Sequence, residues 1–177
     1  MTTKRIIFFD GDGTLWYPRA TKYMEAPHWV YKEERSLDGY CEQLMLIPSV
    51  LATLRTLKKR GIITVLLSTH PHDPEEAAGV IQHKVRHFDI HELFDEVHAT
   101  RLAHPSKGEY IVKILRERGI AKCRALMVGD NYCFDYQSAK NVGVEAVLIE
   151  SDYRKRHAEG RRVRRMIRKL SDVLAYI

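Results

Sequence analysis

Asp10 and Asp12 stand two residues apart at the end of a short apolar run, Ile6 to Phe9, and Gly13-Thr14 follow them. Further along, Ser68-Thr69 closes a second apolar run, and Lys107 comes just after Ser106, a candidate helix cap. Gly129-Asp130 ends a third run, with Asn131 next and Asp135 five residues after Asp130. Carboxylates, hydroxyls and an ammonium in this order suit a phosphate and a hard cation. A carboxylate that attacks a phosphate must approach another anion. At ~4 Å the repulsion is ~1 kcal/mol in water and ~4 kcal/mol at an effective dielectric of about 20. A dication and a lysine are therefore required. Mg2+ takes oxygen ligands and keeps several waters, so the carboxylates of Asp10 and Asp130 suffice to hold it. Lys107 would neutralise phosphate and nucleophile as a point charge, and the Ser68 hydroxyl would donate to a phosphate oxygen.

These residues need a scaffold that brings their strand ends together. Ile6 to Phe9, Ile62 to Leu67, Ala125 to Val128 and Ala146 to Ile149 read as buried strands, with a weaker one at Glu96 to Ala99. Between them lie amphipathic stretches. Val50, Leu51, Leu54 and Leu57 keep helical spacing after Ser49 and end at Gly61; Asp73-Pro74-Glu75-Glu76 is a helix start. Ser106 caps a helix through Tyr110, Ile111, Ile114 and Leu115 to Gly119, and another helix lies near Tyr136 to Asn141. Strands alternating with helices predict an α/β fold, a Rossmann-like parallel sheet in three layers with helices on both faces. Ligands bind such sheets at the carboxyl ends of the strands, which puts Asp10, Ser68 and Asp130 on one rim.

In this order the four segments resemble the motifs of the haloacid dehalogenase (HAD) superfamily of aspartate-nucleophile phosphatases. FFDGDGTLW is similar to the first motif, LLST to the second, PSKGEY to the third and VGDNYCFD to the fourth, spanning about residues 6 to 150. Within the superfamily the chain most resembles the small, nearly capless magnesium-dependent phosphatases. The resemblance implies Asp10 as nucleophile and Asp12 as general acid and base. It adds the backbone carbonyl of Asp12 to Asp10 and Asp130 as a metal ligand. It also implies a phosphate site at Ser68, Thr69 and Lys107. Asp135 either orients Lys107 or a metal-bound water, or only caps the following helix. Asn131 carries the same ambiguity, and Thr69 serves either the phosphate or the next turn. The expected activity is a Mg2+-dependent phosphomonoesterase with an aspartyl-phosphate intermediate, acting on a small or accessible phosphorylated substrate. A phosphotransferase or mutase would share the nucleophile and pass phosphate to a sugar.

Residues 16–47 form the one compositional excursion, holding both tryptophans and six of sixteen aromatic residues: Trp16, Tyr17, Tyr23, Trp29, Tyr31 and Tyr40. They are too few for a cap domain with its own core, so a small flap is expected. Its aromatics either line the entrance or pack the flap onto the body or into a homo-oligomer interface, the packing roles being preferred. Seven of nine histidines fall between His70 and His104. His83, His87 and His91 recur every four residues, yet a solvated surface set outranks a zinc site on ligand count. His70 and His72 follow the second motif on the same rim.

The chain has 177 residues and a net charge of +6, a length expected to form a single domain over residues 1–177. The charge is local. Residues 154–169 hold nine Lys and Arg against one acid, Glu159, leaving 20 basic and 22 acidic residues elsewhere. A generally basic nucleic-acid binder is thereby disfavoured, and a small phosphomonoester is the preferred partner. The segment 154–177 is expected to end in a basic amphipathic helix, roughly from Arg161 to Ala175, docked by Val163, Met166, Ile167, Leu170, Val173 and Leu174. Its basic face is either solvated, the preferred reading, or a nucleic-acid site. Cys41, Cys123 and Cys133 follow no CxxC spacing, and the start of the chain is unlike a signal peptide. Apolar runs of about six residues fall far short of the ~20 that span a bilayer. A cytoplasmic protein without membrane contact is expected.

Overall fold

The computed structural model describes residues 3–22, 36–70, 74–100, 106–150 and 163–177. Among them the chain runs β1 (Ile6–Phe9), β2 (Trp16–Pro18), α1 (Leu37–Glu42), β3 (Leu44–Leu46), α2 (Val50–Lys59) and β4 (Ile63–Thr69). It continues through α3 (Pro74–His87), β5 (Glu96–Thr100), α4 (Lys107–Glu117), β6 (Ala125–Gly129), a π-helical turn (Tyr132–Gln137) and α5 (Ser138–Asn141). The described chain closes with β7 (Glu145–Ile149), β8 (Met166–Ile167) and a 3-10 helix (Leu170–Tyr176).

Six strands form a parallel sheet in the order β5-β4-β1-β6-β7-β8. The apolar run of β1 is wholly buried because it lies between β4 and β6 with both faces covered. Side chains alternate across it. Ile7 and Phe9 join Leu66, Leu126 and Val128 on one face, under Val50, Leu54 and Leu57 of α2 and Val80, Ile81 and Val85 of α3. Ile6 and Phe8 join Val65, Leu67 and Met127 on the other, under Ile111, Ile114 and Leu115 of α4. The strand order reverses at β1, the point where sheets of this kind open a crevice at their carboxyl edge.

The described ends of the 16–47 segment are tied to the body. β2 and β3 pair antiparallel, and Ser36 caps α1 by accepting from the Gly39 N–H at 3.1 Å. Trp16, Tyr17, Tyr40 and Cys41 are buried in the same core cluster as Phe9 and Val85. Tyr23, Trp29 and Tyr31 lie outside the described residues, as do His72, His104 and residues 154–162 of the basic segment.

Ser49, just before α2, has a left-handed backbone at φ 75°, and its hydroxyl accepts from the Ser171 N–H at 3.3 Å. One expectation is corrected: the described end of the chain is not a single helix from Arg161 to Ala175. Met166-Ile167 instead extends the sheet, pairing with Leu148 and Ile149 of β7, and only Leu170–Tyr176 is helical, with 3-10 geometry. An open sheet edge offers a row of backbone partners that outweighs amphipathic periodicity. The arginines then find acids beside that edge: Arg165 pairs with Glu145 at 3.1 Å and Arg168 with Glu150 at 3.4 Å. Leu170 and Val173 still reach the core, next to α2. No helix among the described residues is long and apolar enough to cross a membrane.

Candidate active site

The rim is built where β1, β4 and β6 end side by side. Asp10 continues the ladder by donating its N–H to the Val128 carbonyl at 2.9 Å, and the chain then turns sharply. The Gly11 carbonyl accepts from Leu15 at 2.8 Å, and Gly13 takes a positive φ of 80°. A Cβ on Gly13 would sit 2.3 Å from Asp130 Oδ2, so this turn lies directly against the carboxylate that follows β6. Gly129 is closed in the same way, since its Cβ would come 2.2 Å from Asp135 Oδ2.

Lys107 is the first residue of α4, and Ser106 and Glu109 form a reciprocal capping box that fixes this helix start. From there its Nζ donates to Asp10 Oδ1 at 2.5 Å and to Asp135 Oδ1 at 2.6 Å. Asp135 is 1% exposed, and its other oxygen accepts from the Asn131 N–H at 2.9 Å. It therefore braces Lys107 rather than serving only as a helix cap. The cap is Asn131, whose Oδ1 accepts from Cys133 and Phe134 at 2.9 and 3.0 Å.

Oxygens of Asp10, Asp130 and Asp135 lie within 4.8 Å of one another, and all three residues are buried. Fully ionised, the three carboxylates would carry two more negative charges than the ammonium of Lys107 offsets. The electrostatics follow. Burial, aided by Asp135 and opposed by Lys107, pushes Asp10 up to about 7. Burial, with Asp10 and Asp135 beside it, holds Asp130 well above the usual carboxylate range. Burial works against the charge on Lys107, yet Asp10 and Asp135 outweigh it and raise the ammonium above its ordinary value. Asp130 Oδ2 and Ser68 Oγ are buried without a hydrogen-bond partner among the described residues. All-oxygen donors, an orphaned carboxylate oxygen and a deficit of two positive charges fit a hard dication.

The expected site residues do not all converge. Asp12 stays out of the carboxylate cluster: its Oδ1 accepts from Trp16 Nε1 at 2.5 Å and from Lys84 Nζ at 3.0 Å. The Thr69 hydroxyl bonds that of Thr100 at 2.9 Å, tying β4 to β5. Ser68 lies close to the first turn, where a Cβ on Gly11 would come 2.9 Å from its Oγ. His70 is buried, with its N–H donating to the Thr100 carbonyl at 3.1 Å. His83 meets Asp38 of α1 at 2.8 Å, while His91 lies beyond α3 beside Glu92 at 3.2 Å. Lys84 and Trp16 are the partners that the sequence reading left out. The signal for Lys84 was available: it falls on the stripe of α3 set by Ala77, Val80, Ile81 and Val85, all buried.

A family model described as haloacid dehalogenase-like hydrolase matches residues 23–149. That span begins after Asp10 and Asp12 and contains Ser68, Lys107, Asp130 and Asp135. No curated protein matches the chain. Among solved structures, an uncharacterized protein from Listeria monocytogenes serotype 4b is 21% identical with a TM-score of 0.71, covering 99% of this chain and 96% of that one. A haloacid dehalogenase-like family hydrolase from Streptococcus pneumoniae is 19% identical with a TM-score of 0.69, covering 99% of both chains. A protein described as a predicted phosphoglycolate phosphatase from Haemophilus somnus is 19% identical with a TM-score of 0.70, again over 99% of both. At such identities the likeness is one of fold.

Proposed function

The chain belongs to the haloacid dehalogenase-like hydrolase family, and on that premise we propose that it is a Mg2+-dependent phosphomonoesterase working through an aspartyl phosphate on Asp10. The observation that carries this reading is the buried cluster itself. Lys107 holds Asp10 and Asp135 together while Asp130 Oδ2 and Ser68 Oγ face the same rim without partners among the described residues. The carboxylates of Asp10 and Asp130, with the main-chain carbonyl of Asp12, would hold the cation. Bound there, Mg2+ supplies the positive charge that lets an anionic nucleophile meet an anionic phosphate.

Every other part is played by side chains. Lys107 keeps Asp10 oriented and favours its ionised form, and the Ser68 hydroxyl donates to a phosphate oxygen. An Asp10 oxygen attacks phosphorus in line, the bond from phosphorus to the leaving alcohol breaks, and Asp12 gives that alcohol its proton. Water then attacks the aspartyl phosphate and passes its proton to Asp12, releasing phosphate and restoring the Asp10 carboxylate. The descriptions of the structural neighbours support a small phosphorylated substrate as the first class to screen.

Asp10→Asn is expected to abolish Mg2+-dependent phosphate release from a generic aryl phosphate while leaving a cooperative melt. Full activity in that variant would overturn the mechanism.

A further inference from the structure

Lys84 is an ammonium that the four motifs do not use. It is 0% exposed and occupies an interior position of α3 among apolar neighbours. Burying such a charge costs several kcal/mol, about what a well-placed partner and hydrogen bonds return. Its Nζ lies 3.0 and 3.2 Å from the two Asp12 oxygens. It also sits 5.3 Å from the ring centroid of Trp16 and 5.0 Å from that of Tyr40, within cation–π range of both. Trp16, itself fully buried, donates its indole N–H to the same Asp12 oxygen that Lys84 reaches at 3.0 Å. Two donors from separate elements therefore fix the plane of this carboxylate. The Asp12 side chain keeps 18% exposure.

Resting on the phosphomonoesterase reading, we infer that Lys84 is a positioning residue: with the Trp16 indole it holds the Asp12 carboxylate as proton acceptor for the water that hydrolyses the aspartyl phosphate. In that step the water oxygen bonds to phosphorus, and the bond from phosphorus to the Asp10 oxygen breaks with its electron pair returning to Asp10. The water proton passes to Asp12. In the first half-reaction the leaving oxygen is carried by a substrate held at its phosphate, whereas the attacking water depends on Asp12 alone for its orientation. A carboxylate plane fixed by Lys84 and Trp16 therefore matters more to the breakdown of the intermediate than to its formation.

Lys84→Met, which keeps an unbranched apolar stem without the charge, separates this role from a merely structural one. With Mg2+ and an aryl phosphate labelled at phosphorus, released phenol reports formation of the intermediate. Acid-stable label on the protein and released phosphate report its breakdown. Breakdown should slow at least ~10-fold more than formation, on the scale that small misplacements of a reacting group produce. Label should accumulate on the protein, and Lys84→Arg should recover part of the loss. Equal slowing of both steps, or of neither, would overturn the inference. If Lys84→Met does not melt cooperatively, Trp16→Phe tests the same point. It keeps a six-membered ring beside the ammonium and removes the N–H together with the rest of the five-membered ring, so the same skew in smaller measure is expected and its absence counts against the inference. A wild-type protein that neither takes up label nor releases phosphate would overturn the phosphomonoesterase reading and this inference with it. Turnover without a skew in the variants would overturn the role of Lys84 alone.

Discussion

The two buried ammoniums beside this site sit in opposite circumstances. Lys107 starts a helix, faces two carboxylates that are themselves buried, and is held above its ordinary pKa. Lys84 lies inside a helix, and burial outweighs Asp12 to pull it below its ordinary value. The rings of Trp16 and Tyr40 and the partly exposed carboxylate of Asp12 lie beside it. The first lysine is in deficit against its surroundings, whereas the second is nearly balanced by its own. Excess negative charge around Lys107 calls for a further cation. Near-balance around Lys84 calls only for a fixed geometry.

Removal of each charge should expose that difference most strongly. Lys107→Met strands two buried carboxylates, so a loss of about 3 kcal/mol or more is expected from urea unfolding at pH 8 in EDTA. Lys84→Met leaves a carboxylate that water can reach and fills an apolar stripe with an apolar side chain. Its loss should be about 1 kcal/mol or less. An equal or larger loss at Lys84 would break the comparison.

The cation deficit should also appear as a pH effect on metal-linked stability. Asp10 titrates near 3.8 when unfolded and at about 7 in the folded cluster. Below the first value both states hold the proton and the cluster costs nothing. Between the two values the folded state keeps a proton that the unfolded chain has released, so stability falls as pH rises, and above about 7 the loss is complete. Asp130 moves in the same direction. Mg2+ favours the ionised carboxylates, so it should raise Tm more at pH 8 than at pH 5 in melts with and without EDTA. The same increment at both pH values would show that the cluster is not where the cation acts.

The smallest effect is expected at Thr69, whose hydroxyl is engaged by Thr100. Thr69→Val should shift stability by about 0.5 kcal/mol or less and leave phosphate release within about threefold of wild type. A large loss of phosphate affinity would return Thr69 to the substrate side of the rim.

The rim was readable in the sequence because its signals are local. A buried strand followed by Asp, a Ser after a strand and a Lys after a cap each state their position within a few residues. Asp135 showed the limit of such reading, since a helix-start acid and a brace for Lys107 look alike until the fold brings the two together. Lys84 was missed for a related reason: its partner lies 72 residues away. What the sequence did display was a lysine on an apolar stripe, which has a physical meaning only once something opposite it is known. The end of the chain misled in the other direction. The run from Val163 to Leu174 has helical spacing, but the edge of β7 competes for the same residues and takes Met166-Ile167.

The contact between Gly13 and Asp130 has a consequence for how this chain is able to vary. A Cβ at position 13 would meet the carboxylate of Asp130, so the turn after the first strand and the acid after the sixth are coupled as a single steric unit. A side chain at position 13 would have to displace that carboxylate and adopt a backbone of φ 80° that L-residues rarely take.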